Sequence, residues 1–127
     1  MIDGLWDQLR DEAIVAGKKE PLLANFLAAS VLDHESFESC LSFILSKKIC
    51  NDLLPIRTIR DLFIDAFSSS PKIIENAAYD IRASYERDPA IETYLSVILY
   101  LKGYQAIQVH RLAHFLWQKR RQEICLL

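Results

Sequence analysis

Glycine and proline are scarce in this chain, with three and four among 127 residues. No stretch carries the glycine spacing of a P-loop, a G-x-G-x-x-G turn or a G-x-S-x-G elbow, so the sequence advertises no self-contained active site. Cysteine is sparse as well. Cys40, Cys50 and Cys125 are an odd number without a C-x-x-C pair, which argues against a secreted disulfide framework and a zinc ribbon and for a reducing cytoplasm. No apolar run reaches the ~18 residues that span a bilayer. The opening residues, MIDGLWDQLRDEAIVAG, carry acids where a signal peptide carries bases. An excess of positive charge is missing too: 15 Lys and Arg face 17 Asp and Glu, a formal charge of −2. Phosphate backbones therefore find little attraction here, and a helix-turn-helix DNA reader has no basic recognition helix.

What the chain does have is apolar periodicity. Half of it, 51%, is hydrophobic, enough at this length for one core that buries roughly two-thirds of the unfolded surface without staples. Leu23, Phe26, Leu27, Ser30 and Val31 fall at i, i+3, i+4, i+7 and i+8, one face of a helix. Phe37, Cys40, Leu41, Ile44, Leu45 and Ile49 repeat the stripe, as do Ile59, Leu62, Phe63, Ala66 and Phe67, and then Ile74, Ala77, Ala78, Ile81 and Tyr85. No segment alternates with period two. Pro21, Pro71 and Pro89 stand where a first helical turn tolerates a missing N–H. Ser70 and Asp88 precede two of them as caps, and Thr58 with Asp61 has the spacing of a capping box. The reading is all-α: a compact bundle of about seven helices without β-sheet, near 3–17, 21–33, 35–50, 57–68, 71–87, 89–101 and 103–123. The longest break, Asn51 to Ile56, is too short for a domain boundary, so residues 1–127 read as one domain. A helix ending in KRRQEICLL leaves Ile124, Leu126 and Leu127 solvated at a free end, as in a polypeptide cut before its natural terminus.

Few residues offer chemistry. His110 and His114 are i, i+4 on a helix, a spacing able to chelate one metal, but the zincin glutamate after His110 is missing. They read as packing residues, and no metal site is assigned. Cys40 lies on an apolar stripe as an inert thiol with a raised pKa, and nothing beside Cys50 or Cys125 marks a nucleophile. Lys119, Arg120 and Arg121 complement a helix C-terminus, and Arg57 with Arg60 offers only a weak phosphate contact. Trp6, Trp117, Tyr100 and Tyr104 read as core or interface anchors. Asp88 is more informative. As the cap of a helix starting at Pro89 it would see the positive end of the dipole and stay ionised at neutral pH. Such a carboxylate serves either as a cap alone or as the receiver of a ligand's ammonium.

Several blocks together resemble the N-terminal region of serine acetyltransferases. They are Trp6 with Glu12-Ala13, Glu20-Pro21, the helix from Ser36 through Ser39, and Leu45-Ser46-Lys47-Lys48. Then come Asp80-Ile81-x-Ala83, Arg87-Asp88-Pro89-Ala90, and Tyr100 to Ala106 running into His110-Arg111-Leu112-Ala113-His114-x-Leu116-Trp117. The last two blocks are the specific ones, and the similarity spans nearly the whole chain. The resemblance implies an enzyme that acetylates L-serine from acetyl-CoA, the first step of cysteine biosynthesis. The acetyl-CoA site and the catalytic histidine would lie in a left-handed β-helix beyond Leu127, so this segment alone is expected to be inactive and to bind no cofactor. It implies that Asp88 and Pro89 contact L-serine or the inhibitor L-cysteine, and that His110 and His114 belong to the scaffold. It also implies self-association, trimers joined into dimers of trimers, for which Leu5, Trp6, Leu9, Leu53 and Leu54 are candidates if they are not core. O-acetylserine sulfhydrylase would be gripped by a C-terminal tail not present here. The rival reading is a stand-alone helical oligomerisation or adaptor module.

Overall fold

The structure, a computed structural model, describes residues 2–119 and 121. Helix α1 (Ile2–Lys19) has Asp3 in its first turn and Lys18 and Lys19 in its last, signs that suit the dipole at both ends. It buries Leu5, Trp6, Leu9 and Ala13 along one stripe. The second segment runs through three pitches: a 3₁₀ turn at Pro21–Leu23, α2 (Ala24–Leu27), and a π-helical turn at Ala28–Leu32. Then follow α3 (Phe37–Ile49), α4 (Ile56–Ser69), α5 (Pro71–Arg87), α6 (Tyr94–Tyr100) and α7 (Lys102–Gln118). No strand occurs among the described residues, as the all-α reading expects. Ile124, Leu126 and Leu127 lie outside the described residues.

Helix α3 is the central element. Phe37, Cys40, Leu41, Ile44 and Leu45 are buried along it, and they meet Ile59 and Phe63 of α4, Ile81 of α5, Ile98 of α6 and Leu112 of α7 in one cluster. Each fully buried Leu or Phe contributes about 1.5–3 kcal/mol relative to an exposed one. Leu5, Trp6 and Leu9 belong to this cluster, so of the residues weighed for assembly only Leu53, 91% exposed, is free of the core; Leu54 is half-buried against it.

The carbonyls at the end of the π turn have no helical partners left, and side chains take them over. His34 Nε2 reaches the Ala29 carbonyl at 2.9 Å, Cys40 Sγ donates to Ser30 at 3.2 Å, and Arg10 of α1 donates to Leu32 at 3.2 Å and His34 at 3.1 Å. The 21–33 segment is thereby tied to α1 and α3.

Several caps differ from the sequence reading. Helix α4 begins at Ile56 with Pro55 as its N-cap, the Pro55 carbonyl taking the amides of Thr58 and Ile59. Thr58 is then inside the first turn, and no capping box with Asp61 forms. Asn51 shapes the preceding loop, its Oδ1 accepting from the amides of Leu53 and Leu54. Ser70 does stand at the cap of α5, without a side-chain bond to it. The larger correction concerns the sixth helix, which starts at Tyr94 and not at Pro89.

Candidate functional site

The turn from Asp88 to Thr93 joins α5 to α6, and its course follows from local chemistry. A residue before proline is pushed out of the helical region, and Asp88 sits at φ −117° and ψ 106°, ending α5. Its Oδ1 accepts from the Ala90 amide at 2.9 Å and its carbonyl from the Ile91 amide at 3.0 Å. This Asx-type closure spends the side chain on a turn where a helix start was expected. Thr93 makes the better N-cap: its Oγ1 accepts from the Ser96 amide at 3.1 Å. Asp88 is therefore the C-cap residue of α5, and the positive helix end invoked for its ionisation is not there. Asp88, Pro89 and Ala90 are nevertheless all exposed at the apex of the turn.

The carboxylate that does meet the start of α6 comes from the far side of the sequence. Glu12 of α1 accepts from the Leu95 amide at 2.9 Å and the Tyr94 amide at 3.4 Å, while Gln8 donates to its Oε2 at 3.2 Å. Thr93 and Glu12 between them occupy the amides of Tyr94, Leu95 and Ser96. Across the turn, the rings of Tyr85 and Tyr94 lie 4.6 Å apart, and Arg82 places its guanidinium 5.8 Å from the Tyr94 ring. Sequence spacing could not have found Glu12, because its partners stand 82 and 83 residues away.

The other specific block builds a seam between α5 and α7. Arg111 pairs with Asp80 at 2.6 Å, Gln108 donates to the same Oδ2 at 3.0 Å, and Arg111 also donates to Gln108 at 2.9 Å. Deeper in, the Tyr104 hydroxyl donates to the Ala77 carbonyl at 2.9 Å. Burial, with a further push from Asp80 and an opposing one from Arg111, raises the Tyr104 phenol well above its ordinary value of 10. It stays neutral and serves as a donor. Gln105 closes the end of α6 by donating to the carbonyls of Ile98 and Leu99.

Of the two histidines in this block, neither packs into the helix interface as expected. Both are exposed and line an open cavity of about 420 Å³ with Lys72, Asn76 and Phe115. A helix surface with the polar spacing of α7 turns positions 110 and 114 outward once 104, 108, 112 and 115 are buried. Among the described residues no group of three or more His, Cys, Asp and Glu is placed to hold a metal.

Burial pushes the Cys40 thiol up to about 12, so it is a buried donor and not a nucleophile. Cys50 is half-buried and free, and Cys125 lies outside the described residues. Arg60 is structural, donating to Ser39 Oγ at 2.8 Å and Ser42 Oγ at 3.4 Å across α3 and α4, whereas Arg57 is exposed. Lys119 caps the end of α7 with its ammonium 5.6 Å from the Phe115 ring; Arg121 donates its amide to Leu116, and Arg120 is outside the described residues. Trp6 and Tyr104 are buried; Trp117 and Tyr100 are half exposed. No helix is long and apolar enough to cross a membrane among the described residues.

A family model for the N-terminal region of serine acetyltransferase matches residues 5–109. The chain belongs to this family. It is 38% identical to serine acetyltransferase of Haemophilus influenzae over 122 residues, 96% of this chain and 46% of that protein. A solved serine acetyltransferase in complex with cysteine covers 99% of this chain at TM-score 0.95 and 38% identity, the match taking in 52% of that chain. Soybean serine acetyltransferase complexed with serine covers 96% at TM-score 0.92 and 42% identity, over 50% of that chain. The chain thus spans about half the length of the serine acetyltransferases it matches.

Proposed function

We propose that this segment is the helical N-terminal part of an enzyme that moves an acetyl group from acetyl-CoA to the hydroxyl of L-serine, opening cysteine biosynthesis. The observation that carries this reading is the likeness, at TM-score 0.95 and 38% identity, to a serine acetyltransferase whose structure was solved with cysteine. In this reading Asp88 and Pro89 form one wall of the serine or cysteine pocket. The Asx bond uses Oδ1 of Asp88, which leaves Oδ2 open toward solvent for the α-ammonium of an amino acid. Pro89 keeps the backbone extended before it, so the carboxylate is presented by a turn and not by a flexible side chain on a helix.

The group that takes the proton from the serine hydroxyl, and the surface that holds acetyl-CoA, belong in this proposal to the rest of the polypeptide. The hydroxyl oxygen attacks the thioester carbon, its proton passes to that base, and the departing thiolate is reprotonated. The helical faces serve self-association, for which exposed Leu22, Phe26 and Leu53 are suited. A sulfhydrylase partner engaged through another part of the polypeptide, and a cytoplasmic location, belong to the same proposal.

The test is the full-length gene product. It is expected to form O-acetylserine from L-serine and acetyl-CoA, and Asp88→Asn is expected to raise serine KM about 10- to 150-fold while acetyl-CoA KM holds, the worth of one charge-assisted bond. A gene product that ends at Leu127 and transfers no acetyl group overturns the reading in favour of a stand-alone assembly module.

A further inference from the structure

The turn that presents Asp88 is anchored at both ends, and the two anchors differ in kind. Upstream, the Asp88 amide still donates to Ser84 at 3.2 Å, so the residue is held by the last turn of α5. Downstream, the first amides of α6 have no helical acceptors. A helix of seven residues is too short to fix its own start by propagation. Thr93 caps the Ser96 amide, and the Glu12 carboxylate holds the two amides before it, one oxygen on Leu95 and the other on Tyr94, with Gln8 orienting the second oxygen from one turn earlier on α1. Leu95 is buried and Tyr94 half-buried, so these amides have no water to fall back on without a cost. Tyr94 in turn carries the ring contact to Tyr85, three residues before Asp88. Moving the start of α6 therefore moves both strands of the turn.

We propose that Glu12 is a positioning residue for the amino-acid pocket: by clamping the amides of Tyr94 and Leu95 it sets where α6 begins, and with it where the Asp88 carboxylate stands. The inference rests on the reading of Asp88 as the contact for the substrate ammonium. Glu12 itself touches no substrate, since both its oxygens are engaged by α6 and Gln8.

The experiment is steady-state kinetics on the full-length gene product carrying Glu12→Gln, Asp88→Asn, and both. Glutamine keeps one acceptor for Leu95 and turns an NH₂ group toward Tyr94, loosening the clamp without emptying the site. Glu12→Gln is expected to raise serine KM about 3- to 10-fold, the worth of one or two weakened bonds. Acetyl-CoA KM is expected to stay within about twofold. In the Asp88→Asn background the same change is expected to add less than about twofold, because Glu12 acts through Asp88. A normal serine KM in Glu12→Gln, with a raised one in Asp88→Asn, overturns the inference and leaves the pocket reading standing. Normal values in both remove the pocket reading and the inference with it. An equal rise in both KM values with a lowered melting temperature makes Glu12 a structural staple only and also overturns it. Should Glu12→Gln fail to fold, Glu12→Asp carries the test, since it keeps the charge and shortens the reach by one methylene; the same serine-specific rise is expected, and its absence is decisive.

Discussion

The α5–α6 turn and the α5–α7 seam use the same residue types for opposite ends. Asp80 and Asp88 stand two helical turns apart on and just after one helix. Asp80 is three-quarters covered and has its Oδ2 filled by Arg111 and Gln108; Asp88 is exposed, with one oxygen given to a backbone amide two residues on. A carboxylate whose lone pairs are met by its own chain stabilises the fold and has little left for a ligand. One that satisfies only a local turn is free to take an outside donor. Exposure and the kind of partner, a cationic and an amide side chain from another helix at Asp80 against a local backbone amide at Asp88, separate the candidate site from the scaffold.

The contrast is sharpest in paired substitutions. Asp88→Asn should give the largest functional effect, the rise in serine KM already stated, with almost none on folding. Asparagine closes the same Asx turn through its amide oxygen, so the unfolding free energy in urea should stay within the range of ordinary surface changes, about 0.5 kcal/mol. A large loss of stability would mean that Asp88 is scaffold after all. Asp80→Ala should do the reverse. It takes the shared carboxylate from half-buried Arg111 and buried Gln108, leaving them only each other, and should cost about 1.5–3 kcal/mol in urea unfolding, the range for hydrogen bonds to charged groups, with both KM values moving together if they move at all. A serine-specific KM change there would erase the distinction. Tyr104→Phe removes a single buried bond and leaves the Ala77 carbonyl without its donor. About 1 kcal/mol of destabilisation is expected, and no loss at all would mean that the carbonyl finds another partner.

Much of this was legible in the sequence, and the misses have physical reasons. The stripes of α3, α4 and α5 are local patterns, and the helices appear where Leu41, Phe63 and Ile81 demanded burial. Pro71 marked the start of α5 because a first turn needs no donor there. Pro89 follows the same rule and misled, since Asp88 could satisfy the Ala90 amide and Thr93 offered a second cap four residues later. Local chemistry allowed two helix starts, and long-range bonding from Glu12 favours the later one. The histidines misled in the other direction: periodicity places 110 and 114 together on α7 but does not say which face of that helix is covered. Only the burial of Tyr104, Gln108 and Leu112 turns them outward.

The smallest effect expected belongs to a third junction, the turn from Asp33 to Ser36, which is closed by side chains as the seam is. His34 Nε2 donates to the Ala29 carbonyl, and its Nδ1 lies 2.8 Å from Ser39 Oγ, which also takes a bond from Arg60. With the imidazole neutral and its proton on Nε2, Nδ1 accepts from the Ser39 hydroxyl. Burial, chiefly, holds the His34 pKa below its ordinary value of 6.5, with Arg60 adding to it and the Ala29 bond and Asp33 opposing. A folded-state pKa below the unfolded one means that the unfolded chain binds the extra proton. This contribution to stability is complete above pH 6.5 and is lost as the pH falls through it toward the folded value. Urea unfolding of the 127-residue chain at about pH 7.5 and about pH 5.5 should show a larger loss for the native sequence than for His34→Gln, which keeps a donor and an acceptor but cannot titrate in that range. Parallel losses would show that the imidazole accepts a proton in place, and that the turn, unlike the seam, tolerates a new charge.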